Sequence, residues 1–416
     1  MKIPGWWRVR HLYINTNQGI RSSIKGKVDD FKVWKASQKK IKRGINLIGF
    51  AKGDFGIAEH LRLVTNSIST TKIKICVNNA LESGDHTLTN EELSPYITVE
   101  NPYRINLFCY NSNFILHYMN SYNGKIAKLK HYNIGYGYWE LSVYPSEWEA
   151  QNEFLNEIWA PSRFIKEVVE KSTNLPVVYM PIPVDFKLPV GFSRKQFKLP
   201  ENKFLFLFTF DMQSFVTRKN PYAVISAFIN AFPVEKNESV SLVIKINRVQ
   251  SNKDHDKLVD KLRGEIAFDL RIIILDVNLD RSSILGLINV CDSYVSLHRA
   301  EGFGLGMAEA MKMGKLVIGT NYSGNTDFMT SENSCLVSYK LVEVHKDEYA
   351  HVEEGAMWAE PDIKEASSYM KRAYEEPAFV KKIGEAAKLY IDTHHNFNII
   401  GEKYQKRYDE LMNKFN

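Results

Sequence analysis

Cysteine is scarce in this chain. Its 416 residues include only Cys76, Cys109, Cys291 and Cys335. They are widely scattered and mostly in apolar, strand-like surroundings, which argues against both a disulfide framework and the paired spacing of a zinc site. They read as reduced core residues. No apolar run approaches the roughly 20 residues that cross a bilayer. The opening residues, Met1 to Arg10, lack the apolar core of a signal peptide, so the expectation is a cytoplasmic protein. No repeat of solenoid or propeller period is evident, and low-complexity tracts are missing. What is present is a globular composition, 44% hydrophobic and 25% charged, in a length that suggests two domains of about 200 residues each.

Acidic residues are sparse at the N-terminus. Through residue 43 the chain carries Lys2, Arg8, Arg10, Arg21, Lys25, Lys27, Lys32, Lys35, Lys39, Lys40, Lys42 and Arg43 against only Asp29 and Asp30, an excess larger than the whole formal charge of +6. Trp6, Trp7, Tyr13, Phe31 and Trp34 interleave with these cations. Such a segment suits an anionic surface, here the inner membrane face, or an acidic polymer. A solvated lead-in is the equal alternative. No nucleic-acid reader motif accompanies the charge, so nucleic acid is not an expected partner.

From Gly44 the text alternates short apolar strands with amphipathic helices. Strands are expected over Ile45 to Phe50, Ile73 to Val77, Arg104 to Cys109, His131 to Gly135, Glu157 to Ala160 and Val177 to Met180. A Gly, Pro and Lys-rich passage then runs to Asn202. Beyond it come Phe204 to Phe210, Ser241 to Ile246, Leu270 to Leu275, Asp292 to His298, Leu316 to Gly319 and Cys335 to Val337. Helices are expected to start near Asn220, Asp256, Ser282, Gly304 and Asn325, and helical text runs from Ile363 to Phe415. The prediction is an α/β protein with two facing Rossmann-like, doubly wound parallel sheets, whose strand ends line a cleft between them. The expected units are a basic aromatic segment over 1–43, a first Rossmann-like domain over 44–188, a second over 189–385, and a C-terminal helix over 386–416 that crosses back to the first.

The most informative stretch runs from His298 to Glu309, where an apolar strand turns into a helix through Gly302, Gly304 and Gly306. A helix start among small residues attracts phosphate through open amides and the positive end of the macrodipole. Two carboxylates there need another purpose. Glu301 before the helix and Glu309 one turn inside it can both face the strand ends, and hydrogen bonds from sugar or ribose hydroxyls suit them. The plain alternative is a helix cap at Glu301 and a surface ion pair at Glu309. Upstream, Arg218 and Lys219 follow the second series' first strand and precede Pro221, a residue at home in a helix's first turn. Facing the same cleft, they would compensate the charge of a leaving diphosphate; an exposed basic pair is the competing view. Lys245 ends another strand, either as a further ligand or as a lysine snorkelling to solvent.

These residues resemble those of the GT-B glycosyltransferases of the large retaining family 4. The likeness rests on Phe210-Asp211, on Arg218 to Pro221, on the Glu301 to Gly304 turn with Glu309, and on Gly319 to Asp327. It implies that Glu301 lies beside the donor sugar and phosphate, that Glu309 binds the nucleotide ribose, and that the Phe303, Gly304, Leu305 and Gly306 backbone with Lys219 holds the diphosphate. Many members carry a further arginine several residues before the Arg-Lys pair, where this chain has Asp211 to Ser214. Ser323, Gly324 and Asn325 resemble the family's donor-pocket loop, or simply cap a helix. In the first half, Gly53 and Gly56 resemble the glycine loop near the donor sugar, which needs close backbone approach. Tyr110, Asn111 and the run Tyr136 to Glu140 should line the acceptor side, with aromatic rings against sugar faces and Glu140 taking an acceptor proton. Trp139 reads more readily as a core residue than as a sugar platform.

The resemblance implies a retaining transferase that moves a hexose-type sugar from a nucleoside-diphosphate sugar to a glycan or lipid-linked glycan, in bacterial surface polysaccharide synthesis. No cofactor beyond the donor substrate is expected. With no Asp-x-Asp motif in the cleft segments, metal independence is expected too. The alternatives are a catalytically silent glycan-binding subunit, or a nucleotide-sugar hydrolase or epimerase.

Overall fold

In a computed structural model of the chain, the described residues are 40–53, 55–79, 90–234, 239–247 and 253–415. Most of the basic N-terminal segment, residues 1–39, lies outside them. The first sheet contains β1 (Lys42–Gly49), β2 (Ile75–Asn79), β3 (Tyr103–Phe108), β4 (Tyr132–Tyr136), β5 (Glu157–Ala160) and β6 (Val177–Tyr179). The second contains β7 (Phe204–Asp211), β8 (Val240–Asn247), β9 (Ile272–Asp276), β10 (Ser293–Ser296), β11 (Leu316–Thr320) and β12 (Cys335–Val337). All pairings within both are parallel. Central strands such as β1 and β8 are buried along almost their whole length, as parallel strands covered on both faces must be.

The strand orders are β2-β1-β3-β4-β5-β6 and β12-β11-β10-β7-β8-β9. Each reverses direction once, between β1 and β3 in the first and between β7 and β10 in the second. At such a switch point the connections leave to opposite faces, and a crevice opens beyond the strands' carboxyl ends. The first register is fixed inside the core by an asparagine ladder. Asn46 donates to Asn106 (2.8 Å), and Asn106 donates to Asn133 (2.9 Å). These residues are aligned across β1, β3 and β4. Buried amides demand partners, so a slipped register would orphan them.

Twelve α-helices complete the described layers: α1 (Gly56–Ser69), α2 (Ser112–Met119), α3 (Tyr122–Lys130), α4 (Arg163–Val169), α5 (Val216–Lys219), α6 (Pro221–Ala231), α7 (Lys253–Ile266), α8 (Arg281–Val290), α9 (Leu305–Lys312), α10 (Ile363–Glu375), α11 (Pro377–His394) and α12 (Phe397–Lys414). At Asn325 the expected helix is only a 3-10 turn, Ser323–Asp327. The closing helix α12 lies on the first sheet's side of the molecule. Gly401 admits close approach to α1, since a Cβ there would sit 2.7 Å from the Ser67 carbonyl oxygen. Tyr404 stacks on Trp159 with centroids 5.6 Å apart, and Arg407 pairs with buried Glu157 at 2.6 Å. An antiparallel hairpin of β13 (Tyr339–Glu343) and β14 (Met357–Pro361) occupies a stretch for which the sequence suggested no element.

Candidate active site

The carboxyl ends of β7 and β10 meet at the second switch point, and the loops leaving them carry the main charges. After β7 the chain makes a 3-10 turn, passes Phe215 in the left-handed region (φ 57°), and forms the short α5 with Arg218 and Lys219. Asn220, also left-handed, then caps α6 by accepting from the Ala223 amide, with Pro221 as its first residue. Arg218 does not project to solvent. It is buried, donates to the Ala300 carbonyl (2.7 Å), and lies 3.4 Å from Glu301 and 4.0 Å from Glu140. Lys219 pairs directly with Glu301.

This cluster sets its own protonation. Burial alone would raise the Glu301 carboxyl, but Lys219 and Arg218 outweigh it and hold it down at about 2. Glu301 is therefore an anion at neutral pH. Burial pulls the Lys219 amine below its usual range, against the opposing pull of Glu301.

Behind Glu301 the turn is braced from inside the second domain. Its amide donates to the Ser323 hydroxyl (2.8 Å), and its carbonyl accepts from the Gly324 amide (2.9 Å). Asn325 holds the Thr320 carbonyl (2.9 Å) and accepts from buried His298 (3.0 Å). A Cβ on Gly324 would lie 2.1 Å from the Gly302 carbonyl oxygen, so only glycine lets these two backbones approach. Gly304 then caps α9 in the left-handed region (φ 95°) with no side-chain hydrogen bond to its first turn. The Gly304 carbonyl takes the Met307 and Ala308 amides, while Leu305 and Gly306 open α9 at the cleft with no side-chain cap on their amides.

Ser323, Gly324 and Asn325 thus correct an expectation: they sit behind the turn and do not line the cleft. Gly53 does not line it either. Its carbonyl accepts from Arg62 (2.7 Å), and its missing Cβ makes room for Phe55. Gly56 does reach the cleft, but a Cβ there would meet nothing within 4 Å, so close packing does not demand glycine. Tyr110 and Tyr136 were expected on the acceptor side and are instead fully buried. Tyr136 donates to the Met180 carbonyl (2.7 Å), and Tyr110 sits among Phe50, Phe108 and Phe114. Trp139 is core, its indole donating to the Val143 carbonyl (2.7 Å).

The remaining expected residues converge on one cleft of about 570 Å³ between the two sheets. Glu140, Arg218, Lys219, Lys245, Glu301, Glu309 and the backbone from Gly302 to Gly306 all line it, as do Asn111 and Tyr138. Lys245 is no snorkelling lysine. It is buried, 3.2 Å from the Asn247 carbonyl oxygen of the side chain, and burial lowers its pKa to about 8, with Asp211 opposing. Glu309 is not a surface ion pair, being 3% exposed. Burial raises its carboxyl although Arg281 lies 2.6 Å away.

Arg281 escaped the sequence reading. It starts α8, just past the carboxyl end of β9, and it bridges Glu309 of the second domain to Glu59 of the first (3.1 Å). Arg62 continues the chain to Glu59 at 2.7 Å. Ser162 also crosses the cleft, donating to the Gly302 carbonyl (2.7 Å). Tyr349 is the other omission: it lies in the β13–β14 connection and reaches the cleft beside Glu140. A position beyond a strand's carboxyl end was the one signal for Arg281, and none marked Tyr349. Among the described residues no group of three or more His, Cys, Asp or Glu side chains is arranged to hold a metal ion, and no helix is long and apolar enough to cross a membrane.

Two facing Rossmann-like sheets with a cleft at their switch points define the GT-B fold, the fold of a large class of glycosyltransferases. Solved structures agree. HepE from Anabaena, in a complex with UDP and glucose, superposes with a TM-score of 0.64 at 12% identity, over 88% of this chain and 100% of that one. Sucrose-phosphate synthase from Thermosynechococcus elongatus gives 0.64 at 14% identity over 90% and 100%. A glycosyltransferase from Rickettsia africae gives 0.61 at 14% over 89% and 99%. No family model matches the chain, and no curated protein matches it in sequence.

Proposed function

We propose that the protein is a glycosyltransferase that moves a hexose-type sugar from a nucleoside-diphosphate sugar to a glycan or lipid-linked glycan, with retention at the anomeric carbon. The observation that carries this reading is the Arg218–Lys219–Glu301 cluster beside the uncapped start of α9, at the switch point of the second sheet. The diphosphate takes the α9 amides with Lys219 and Lys245. Glu309 accepts the ribose hydroxyls, and Glu301 a hydroxyl of the donor sugar. Neighbours of the same fold were solved with UDP or a UDP sugar, which supports a nucleotide sugar here.

In the transfer, the bond from the anomeric carbon to the diphosphate oxygen breaks and a bond to an acceptor hydroxyl oxygen forms. The hydroxyl proton ends on the released diphosphate. Arg218 and Lys219 stabilise the charge that develops on the leaving oxygen, so the positive charge needs no metal. Glu140 accepts a hydrogen bond from the acceptor hydroxyl and aims it. Closure of the two domains excludes water.

The physiological acceptor in this reading is a growing bacterial surface polysaccharide, met at the cytoplasmic membrane face. The basic aromatic N-terminus supplies that contact through anionic lipid. Deleting residues 1–39 should abolish binding to vesicles of phosphatidylglycerol and leave nucleotide affinity unchanged; undiminished vesicle binding refutes the membrane role. For the donor site, calorimetry with UDP, GDP, ADP and their sugars should find one tight base, with affinity lost in Glu309→Ala. Binding of none of them, or binding indifferent to that substitution, overturns the assignment.

A further inference from the structure

The β13–β14 hairpin belongs to the second domain, yet the connection between its strands is fastened to the first. Glu353 accepts from both the amide and the hydroxyl of Ser146 (2.7 Å each), and the Met357 amide donates to the Ser142 hydroxyl (2.8 Å). His351 pairs with Glu147 and packs on Trp148, ring centroids 5.3 Å apart. Just ahead of these anchors in the chain, Tyr349 reaches the cleft. Its ring meets Trp139 edge-on at 5.8 Å and Phe215 at 4.5 Å, and the Arg218 guanidinium lies 6.0 Å above it. Its hydroxyl donates to Glu140 Oε2 at 2.8 Å. Phe215 is exposed to the cleft on a left-handed backbone that a phenylalanine adopts only under constraint.

We propose that Tyr349 is a positioning residue that fixes the Glu140 carboxylate for the acceptor and, with Phe215, forms the wall on which an acceptor sugar lays its apolar face. This rests on the glycosyltransferase reading above. Contacts with Trp139, Phe215 and Arg218 restrain the Tyr349 ring, and its 2.8 Å bond occupies Glu140 Oε2 while Oε1 lies 4.0 Å from Arg218. A carboxylate on an unsupported side chain would sample several rotamers, and only some of them face an acceptor. Burial and the neighbouring Glu140 push the phenol well above its usual range, so it stays a donor throughout neutral pH. An aromatic wall suits pyranosides, whose axial C–H groups form an apolar face.

The test uses full-length protein, the nucleotide sugar from which it releases most diphosphate, and a panel of p-nitrophenyl glycosides as acceptor probes. Tyr349→Phe keeps the ring and its packing, so the melting temperature should fall by no more than about a few degrees for the lost hydrogen bond, and the nucleoside diphosphate Kd should stay unchanged. Transfer should fall by roughly ten- to a hundredfold in kcat/KM for the glycoside, the worth of a hydrogen bond to a charged group. In a Glu140→Gln background the same substitution should have little further effect, because Tyr349 acts through that carboxylate. An undiminished transfer rate in Tyr349→Phe, or full additivity with Glu140→Gln, overturns the proposal. A wild type that hydrolyses nucleotide sugars but glycosylates no probe also overturns it and leaves the donor site standing. A wild type that binds no nucleotide sugar refutes instead the glycosyltransferase reading.

Discussion

Lys245 gives the most quantitative prediction, because function and stability pull on it in opposite directions. It is 2% exposed and lies on β8 facing the cleft. Burial lowers its pKa from 10.5 to about 8. That difference of about 2.5 units, at about 1.36 kcal/mol each, means that the folded state disfavours the charged amine by about 3 kcal/mol. The sign follows from a base whose folded pKa is depressed. The penalty is complete below about pH 8 and fades as pH rises toward 10.5, where the unfolded chain also loses its proton. Lys245→Met keeps the stem and removes the charge. At pH 7 it should raise the unfolding free energy by up to about 3 kcal/mol, with the gain shrinking steadily above pH 8. The same change should weaken nucleoside diphosphate binding by about tenfold or more, the worth of one charge-assisted hydrogen bond. Urea unfolding at pH 7 and pH 10, with calorimetry on UDP and GDP, measures both. A Met variant less stable than wild type at pH 7, or a gain identical at the two pH values, refutes the reasoning.

Other outcomes follow from the same site. Arg281→Gln leaves Glu309 and Glu59 without their shared cation. It should destabilise the fold by about 3 kcal/mol in urea unfolding, whereas a change near zero would mean that the bridge does not link the domains. Gly324→Ala forces a Cβ onto the Gly302 carbonyl. It should cost about 1–3 kcal/mol and lower nucleotide affinity through the displaced turn; unchanged affinity would exclude this bracing. The Glu301 carboxyl, held at about 2 against a usual 4.5, contributes stability above about pH 4.5 that is lost as pH falls toward 2. A Glu301→Gln variant should therefore differ from wild type by up to about 3 kcal/mol at neutral pH and by little at pH 2. An acid-unfolding curve parallel to wild type would contradict this.

Much of the second sheet's side of the cleft was legible in the sequence because its residues are local in the chain. Glu301, the glycines and Glu309 occupy one strand-to-helix turn, and Arg218 and Lys219 lie just past another strand, so period and punctuation were enough to place them. Both parallel sheets were visible for the same reason. Contacts made across the chain were not. Tyr349 meets Glu140 across 209 residues, and the β13–β14 strands, only five residues each and with β13 mostly exposed, are too short to show a clear period. Tyr136 looked available for sugar stacking because nothing nearby predicts that Met180 takes its hydroxyl or that Tyr404 of α12 closes over it. Ser323, Gly324 and Asn325 have the composition of a ligand loop, and only the backbone contact with Gly302, whose carbonyl oxygen a Cβ on Gly324 would meet at 2.1 Å, reveals a brace. Side chains at loop ends can face either a ligand or a neighbouring backbone, and which one they face is decided by tertiary packing.

The central claim is that the Arg218–Lys219–Glu301 cluster activates a nucleotide sugar. Diphosphate release from each common nucleotide sugar, measured with glycoside acceptors present, tests it most directly. Wild type should release diphosphate from at least one sugar in step with glycoside product. Lys219→Ala and Glu301→Gln should each lose about a hundredfold or more while remaining folded. Release from none of the sugars, or wild-type rates in both variants, would contradict the account.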